Sequence, residues 1–136
     1  MTGLEAVTAV ATYINAATPS VFGSNNEQKG KVFKYEKEKG YNGEYIAVNN
    51  LPFVHNNPAQ VNTINVNVHV PQLPSEQPNS KRLTEIVNEV IALFDSEDGA
   101  YISGAYFKYF SDGRPTPDKD STYYVNIQLD CTSKNI

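Results

Sequence analysis

The side chains able to do acid–base, nucleophilic or metal chemistry are few: two histidines, one cysteine, and carboxylates gathered in short runs. His69 falls on the polar side of an alternating segment and His55 falls in a polar stretch. Neither has a cysteine or a second histidine at ligand spacing, so no metal-binding residue is expected. No serine or cysteine sits in a recognisable nucleophile turn. Cys131 lies on the apolar side of the last alternating segment and reads as a buried, inert thiol. A single cysteine also excludes an intramolecular disulfide and a multi-cysteine zinc site. Residues 23–31 have the outline of a phosphate loop. The pattern G-x-x-x-x-G-K-[ST], however, requires glycine where Asn25 stands and a hydroxyl where Val32 stands. Asp95, Glu97 and Asp98 lack the remaining ligands of an EF-hand and read as a solvated helix end. Asp112, Asp118 and Asp120 match no known calcium loop. The expectation is a protein with no catalytic, cofactor-binding or metal-binding residue, and therefore not an enzyme.

The residues left with something to do are those suited to contact. The chain has nine tyrosines, six phenylalanines and no tryptophan. Tyr106, Phe110 and Tyr124 fall on strand faces opposite the expected core. Tyrosine is favoured where one side is apolar and the other wet, as at an interface. Cross-strand stacking explains them equally well. Segment 111–122 crowds Asp112, Arg114, Asp118, Lys119 and Asp120 around Pro115 and Pro117, and is a candidate contact with a subunit or partner. The long loop 18–31 is a second one, since long ordered loops in compact domains are often functional. The run Glu36, Lys37, Glu38, Lys39 reads as a solvated hairpin tip.

These residues need a scaffold, and periodicity supplies most of it. Thr2 and Glu5 form a capping-box pattern ahead of Leu4, Val7, Val10, Ala11 and Ile14, predicting a helix over 3–15 that Pro19 stops. Segments 32–38 and 44–49, separated by Gly40, Asn42 and Gly43, predict a hairpin. Residues 61–70 alternate strictly: Ile64, Val66, Val68 and Val70 on one face, Asn65, Asn67 and His69 on the other. That is a half-buried antiparallel strand, closed by Pro71. Leu83, Ile86, Val87, Val90, Ile91 and Phe94 form a helical stripe, capped by Asn79 or Ser80 and ended at Asp98–Gly99. Strands over 101–110 and 123–131 close the chain, with 111–122 as a long hairpin tip. Strands and helices do not alternate as βαβ units, so a parallel sheet is not expected. The expected fold is α+β: an antiparallel sheet of four to five strands with two helices packed on one face.

Composition bounds the rest. The 136 residues suit one domain over 1–136, long enough to bury a core without staples. Hydrophobic residues make up 40% and charged residues 19%; neutral polar residues, asparagine above all, replace the missing charge. A net charge of −4 argues against a general or sequence-specific nucleic-acid binder. No apolar run approaches the ~20 residues of a membrane span, so no membrane partner is expected. The first fifteen residues carry Glu5 and no basic cluster, so no secretory signal is expected either.

The order of elements resembles the tail-terminator, or tail-completion, proteins of long-tailed bacteriophages, a group of minor tail proteins. The likeness runs from the helix 4–14 through the polar loop, the strand Glu44–Tyr45–Ile46–Ala47–Val48 and the central strand 64–70. It continues through the helix 83–91 to the last strand, Tyr123 to Leu129. The resemblance implies a structural virion protein that caps the head-proximal end of the tail tube as a hexameric ring. Such a ring meets the tail tube protein on one side and head-completion proteins on the other, and is assembled in the cytoplasm of the bacterial host. The alternative from the residues alone is a stand-alone α+β module that binds a small ligand or a protein.

Overall fold

The computed structural model describes residues 1–23, 30–55 and 61–133; part of the loop 18–31 therefore lies outside the described residues. Thr2 caps α1 (Gly3–Ala16), and its hydroxyl accepts from the Glu5 amide while the Glu5 carboxylate accepts from the Thr2 amide. This is the expected capping box. The helix buries Ala6, Val7, Ala9, Val10, Ala11 and Ile14. Leu4, expected on this inward face, is 68% exposed; in the first turn the buried line runs through Ala6 and Val7 instead. Pro19 does more than stop α1. It stands in the first turn of a short α2 (Thr18–Val21), where its missing N–H costs nothing.

The chain then builds β1 (Lys31–Lys34), β2 (Tyr45–Asn50) and β3 (Asn62–Pro71), followed by α3 (Ser80–Phe94). It closes with β4 (Ala100–Ile102), β5 (Ala105–Asp112), β6 (Thr116–Asp118) and β7 (Thr122–Ser133). The sheet has seven strands in the order β1-β2-β3-β7-β5-β4, with β6 also paired to β7. It is mixed and curled, not a purely antiparallel sheet of four to five strands.

Three expectations about strands are corrected. The segments expected as a hairpin, 32–38 and 44–49, instead contribute β1 and β2, which run parallel, Lys31 opposite Tyr45 and Lys34 opposite Val48. Their connection is too bulky for a tight turn. Tyr35 takes a left-handed φ of 66° directly after β1. Tyr41 then folds its ring edge-on against Phe33 and Tyr45, at 5.3 and 6.1 Å between centroids. The single strand expected over 101–110 is broken by Ser103 and Gly104, with φ of 51° and 89°. Two successive left-handed residues make the tight turn that antiparallel twist favours, so β4 and β5 form a hairpin. The tip 111–122 is not a free loop: it returns as β6, whose Thr116 to Asp118 pair with Tyr124 to Thr122.

The core is one cluster between the sheet and the helices. Ile64, Val66, Val68 and Val70 of β3 meet Val125, Ile127, Leu129 and Cys131 of β7, and α1 and α3 cover that same face. Each fully buried aliphatic side chain contributes about 1.5–3 kcal/mol. Cys131 is buried as expected, and burial pushes its thiol up to about 11. Asn79 caps α3, accepting from the Arg82 amide at 3.2 Å. The helix presents Leu83, Ile86, Val87, Val90 and Phe94 inward and stops at Phe94, short of the expected Asp98–Gly99. Gly99 serves the next strand instead: a Cβ there would lie 2.3 Å from the Phe107 carbonyl oxygen.

One polar contact ties the layers together. Glu44, only 5% exposed, enters β2 and accepts from Arg82 Nε at 2.6 Å and Nη2 at 2.8 Å. The same Nη2 donates to the carbonyl of Phe22 at 3.0 Å. One guanidinium thus joins α3, the entry to β2 and the end of α2. Its neighbour carboxylate holds Arg82 above the ordinary arginine range.

Candidate functional site

The sheet face away from the helices carries the polar half of each alternating strand. Where β2, β3 and β7 lie side by side, Tyr45, His69 and Tyr124 are direct cross-strand partners. Their rings form a ladder. Tyr45 and His69 stack at 4.2 Å with planes 8° apart, and His69 and Tyr124 at 5.2 Å and 28°. The next rows are amides. Asn126 donates to Asn67 at 2.8 Å and to Asn65 at 3.2 Å, and Asn65 donates to Asn49 at 2.9 Å. These asparagines satisfy one another across β2, β3 and β7.

Two segments rise beside the ladder. One is the β1–β2 connection, 35–44. The other is 113–121, containing β6 and a turn at Lys119–Ser121 in which Asp120 and Ser121 are left-handed. Lys37 joins them: its ammonium lies 2.8 Å from Asp120 Oδ2, donates to the Tyr41 carbonyl at 2.9 Å, and sits 5.8 Å above the Tyr45 ring. This corrects the reading of 36–39 as a solvated tip, at least for Lys37. Between the segments runs a groove of about 780 Å3, floored by Tyr45, Asn67, His69 and Tyr124 and flanked by Lys39 and Lys119.

His69 is 6% exposed. Its Nδ1 is buried, makes no hydrogen bond, and lies 3.4 Å from Asp118 Oδ2. Burial pushes the imidazole down to about 4; Asp118 pulls the other way and Lys37 adds to the depression. At neutral pH the contact with Asp118 is therefore between a carboxylate and a neutral ring, not an ion pair. Burial also pushes Tyr45 up to about 12, with Asp118 and Asp120 adding to it. Lys37 holds the Asp120 carboxyl below its ordinary value.

The fold brings four of the eight predicted contact residues to this groove: Asp118, Lys119, Asp120 and Tyr124. The other four lie apart. Asp112 ends β5 and accepts from the Tyr109 hydroxyl, which raises the Tyr109 pKa. With Gly113 and Pro115 it lines a smaller hollow of about 350 Å3 against Leu83 and Val87 of α3. Arg114 is exposed, and its carbonyl accepts from the Thr116 hydroxyl at 3.1 Å. Tyr106 packs on its partner Tyr101 at 4.8 Å. Phe110 occupies a register shift between Tyr109 and Ser111 and is 64% exposed. Sequence reasoning missed Lys37, Tyr45 and His69. The available signal was one histidine among asparagines on an alternating face; its ring partners come from strands distant in sequence.

The chemistry on offer is recognition and charge pairing. Among the described residues, no group of three or more His, Cys, Asp or Glu converges to hold a metal ion. Among them also, no helix is long and apolar enough to cross a membrane. No protein-family model matches the chain, and no curated protein matches it.

Proposed function

We propose that this chain is a non-enzymatic structural subunit of a long-tailed phage virion, capping the head-proximal end of the tail tube as a ring. In this reading it is made in the host cytoplasm, meets further copies of itself and the tail tube protein, and offers its other side to head-completion proteins. The observation that carries the reading is that the two ends of the sheet differ in character. At one end β2 finishes, β3 begins and α1 starts, with Gly3 against Asn50. Leu4, Leu51, Val54 and Val61 are exposed there. Segments 1–4, 49–55, 61–66 and 100–107 contain no Asp, Glu, Lys or Arg. At the other end stand the charged segments 36–39 and 118–120. Rings and stacked assemblies are built from heterologous contacts, which need two unlike surfaces on each subunit. The element order that resembles tail terminators points the same way.

The test is negative-stain electron microscopy of the protein at high concentration, alone and mixed with purified tail tubes. Six-fold rings with an open centre, or tubes newly capped at one end, are expected. Monomers alone and unaltered tubes in the mixture would refute the proposal. A second reading, the stand-alone binding module, is favoured by the groove beside His69, whose volume lies in the range of ligand clefts. Native mass spectrometry of the protein as purified separates the two, since a module of that kind carries a co-purifying small molecule or binds as a monomer.

A further inference from the structure

The segment 113–121 stands beside the ring ladder, its residues Asp118, Lys119 and Asp120 reaching the groove above the rings, and its ties to the sheet are short. Its β6 pairs with β7 over only Thr116, Pro117 and Asp118. The middle residue is a proline, which has no N–H to donate. Where the segment rejoins β7, Asp120 and Ser121 are consecutive left-handed residues, with φ of 62° and 59°. That conformation crowds Cβ against the following carbonyl; aspartate tolerates it better than most residues, so the cost falls mainly on Ser121. Beneath it, the His69 Nδ1 is buried without a hydrogen bond, and such an atom gains a partner as soon as water reaches it. Opposing these three costs are the cover that the segment gives to the rings and the Lys37–Asp120 contact, whose carboxylate side chain is 58% exposed.

We propose that 113–121 is a strap in equilibrium between a closed form, seen here, and an open form that bares the Tyr45–His69–Tyr124 ladder, with Lys37–Asp120 as its latch. The hinge on the β7 side is Ser121, a left-handed residue with φ of 59°. It is anchored by the Gln72 amide donating to the Ser121 carbonyl at 2.9 Å, so the strap pivots there while β7 stays in the sheet. The latch is a surface ion pair with the Asp120 side chain 58% exposed and the Lys37 side chain 20% exposed, and surface pairs are weak. Losing it therefore shifts the equilibrium by about two- to fivefold toward the open form without touching the core.

Trypsin reads this opening. Arg114 is followed by Pro115, a bond trypsin resists, so Lys119–Asp120 is the susceptible bond within the strap. Cleavage after Lys119 would be timed for the native protein and for Lys37→Gln, with global stability of both measured by urea denaturation. Hydrogen exchange of the β6–β7 amides would be followed in parallel. The expected result is cleavage and exchange about two- to fivefold faster in Lys37→Gln, with both rates nearly independent of urea well below the midpoint in either protein, because a local opening exposes little surface. Rates unchanged by Lys37→Gln, or rates that climb with urea as steeply as global unfolding does, would overturn the strap, because opening would then require unfolding of the whole domain.

Discussion

The depressed His69 makes a quantitative prediction about acid stability. Its unfolded value is 6.5 and its folded value about 4, the main cause being burial between Tyr45 and Tyr124. The unfolded chain therefore takes up a proton that the folded chain refuses. Stability is complete above pH 6.5 and is lost as pH falls toward 4. Linkage gives a loss of about 2 kcal/mol between pH 7 and pH 5, and about 3 kcal/mol by pH 4. For a domain of this size, 2 kcal/mol lowers Tm by roughly 6–10 °C. The perturbation is His69→Phe, which keeps a flat ring in the stack and removes the titration. Urea and thermal melts of both proteins at pH 7, 6 and 5 are the assay. Glu5, Asp120 and Asp130 also titrate away from their ordinary values, but they are common to both proteins and cancel in the difference. The stability of the native protein relative to His69→Phe should fall by about 2 kcal/mol from pH 7 to pH 5. Parallel pH profiles for the two proteins would refute the reasoning, because His69 would then take up its proton equally in the folded and unfolded chains; a native protein that gains stability relative to His69→Phe on acidification would show instead that His69 is protonated in the fold and paired with Asp118.

Four further variants probe the scaffold and the assembly surface. Arg82→Ala leaves the Glu44 carboxylate buried without its partner and should cost about 3–5 kcal/mol in urea melts; Glu44→Gln with Arg82→Met should cost clearly less, because no charge is stranded. Val87→Asp places a charge against the sheet, on a face only 8% exposed, and should abolish cooperative unfolding by circular dichroism; a soluble, cooperatively melting variant would show that the helix face is misread. Arg114→Glu should weaken ring or tube-cap formation by electron microscopy while leaving Tm within about 2 °C, since the side chain is exposed; equal loss of both would deny it a separate contact role.

What the sequence determined by itself was the identity of the long elements α1, α3, β3 and β7 and, Leu4 apart, their inward faces. The capping box at Thr2 and Glu5, the α3 stripe from Leu83 to Phe94, and the alternation of β3 and β7 all depend on neighbours within a few residues. A local pattern can be read from a linear chain. The Ser103–Gly104 break was also legible, because Ser-Gly is a turn dipeptide, yet alternation on both sides concealed it. Tertiary structure alone decided which strands meet. The parallel pairing of β1 with β2 depends on how Tyr41 packs among Phe33 and Tyr45. The return of β6 onto β7 brings Asp118 within 3.4 Å of a histidine 49 positions earlier. His69 looked like one more polar residue on a wet face. It became a buried, neutral imidazole only because strand register set Tyr45 and Tyr124 on either side and two loops covered the row. Burial and electrostatics act through space, while periodicity acts along the chain. For that reason the core could be read in advance and the groove could not.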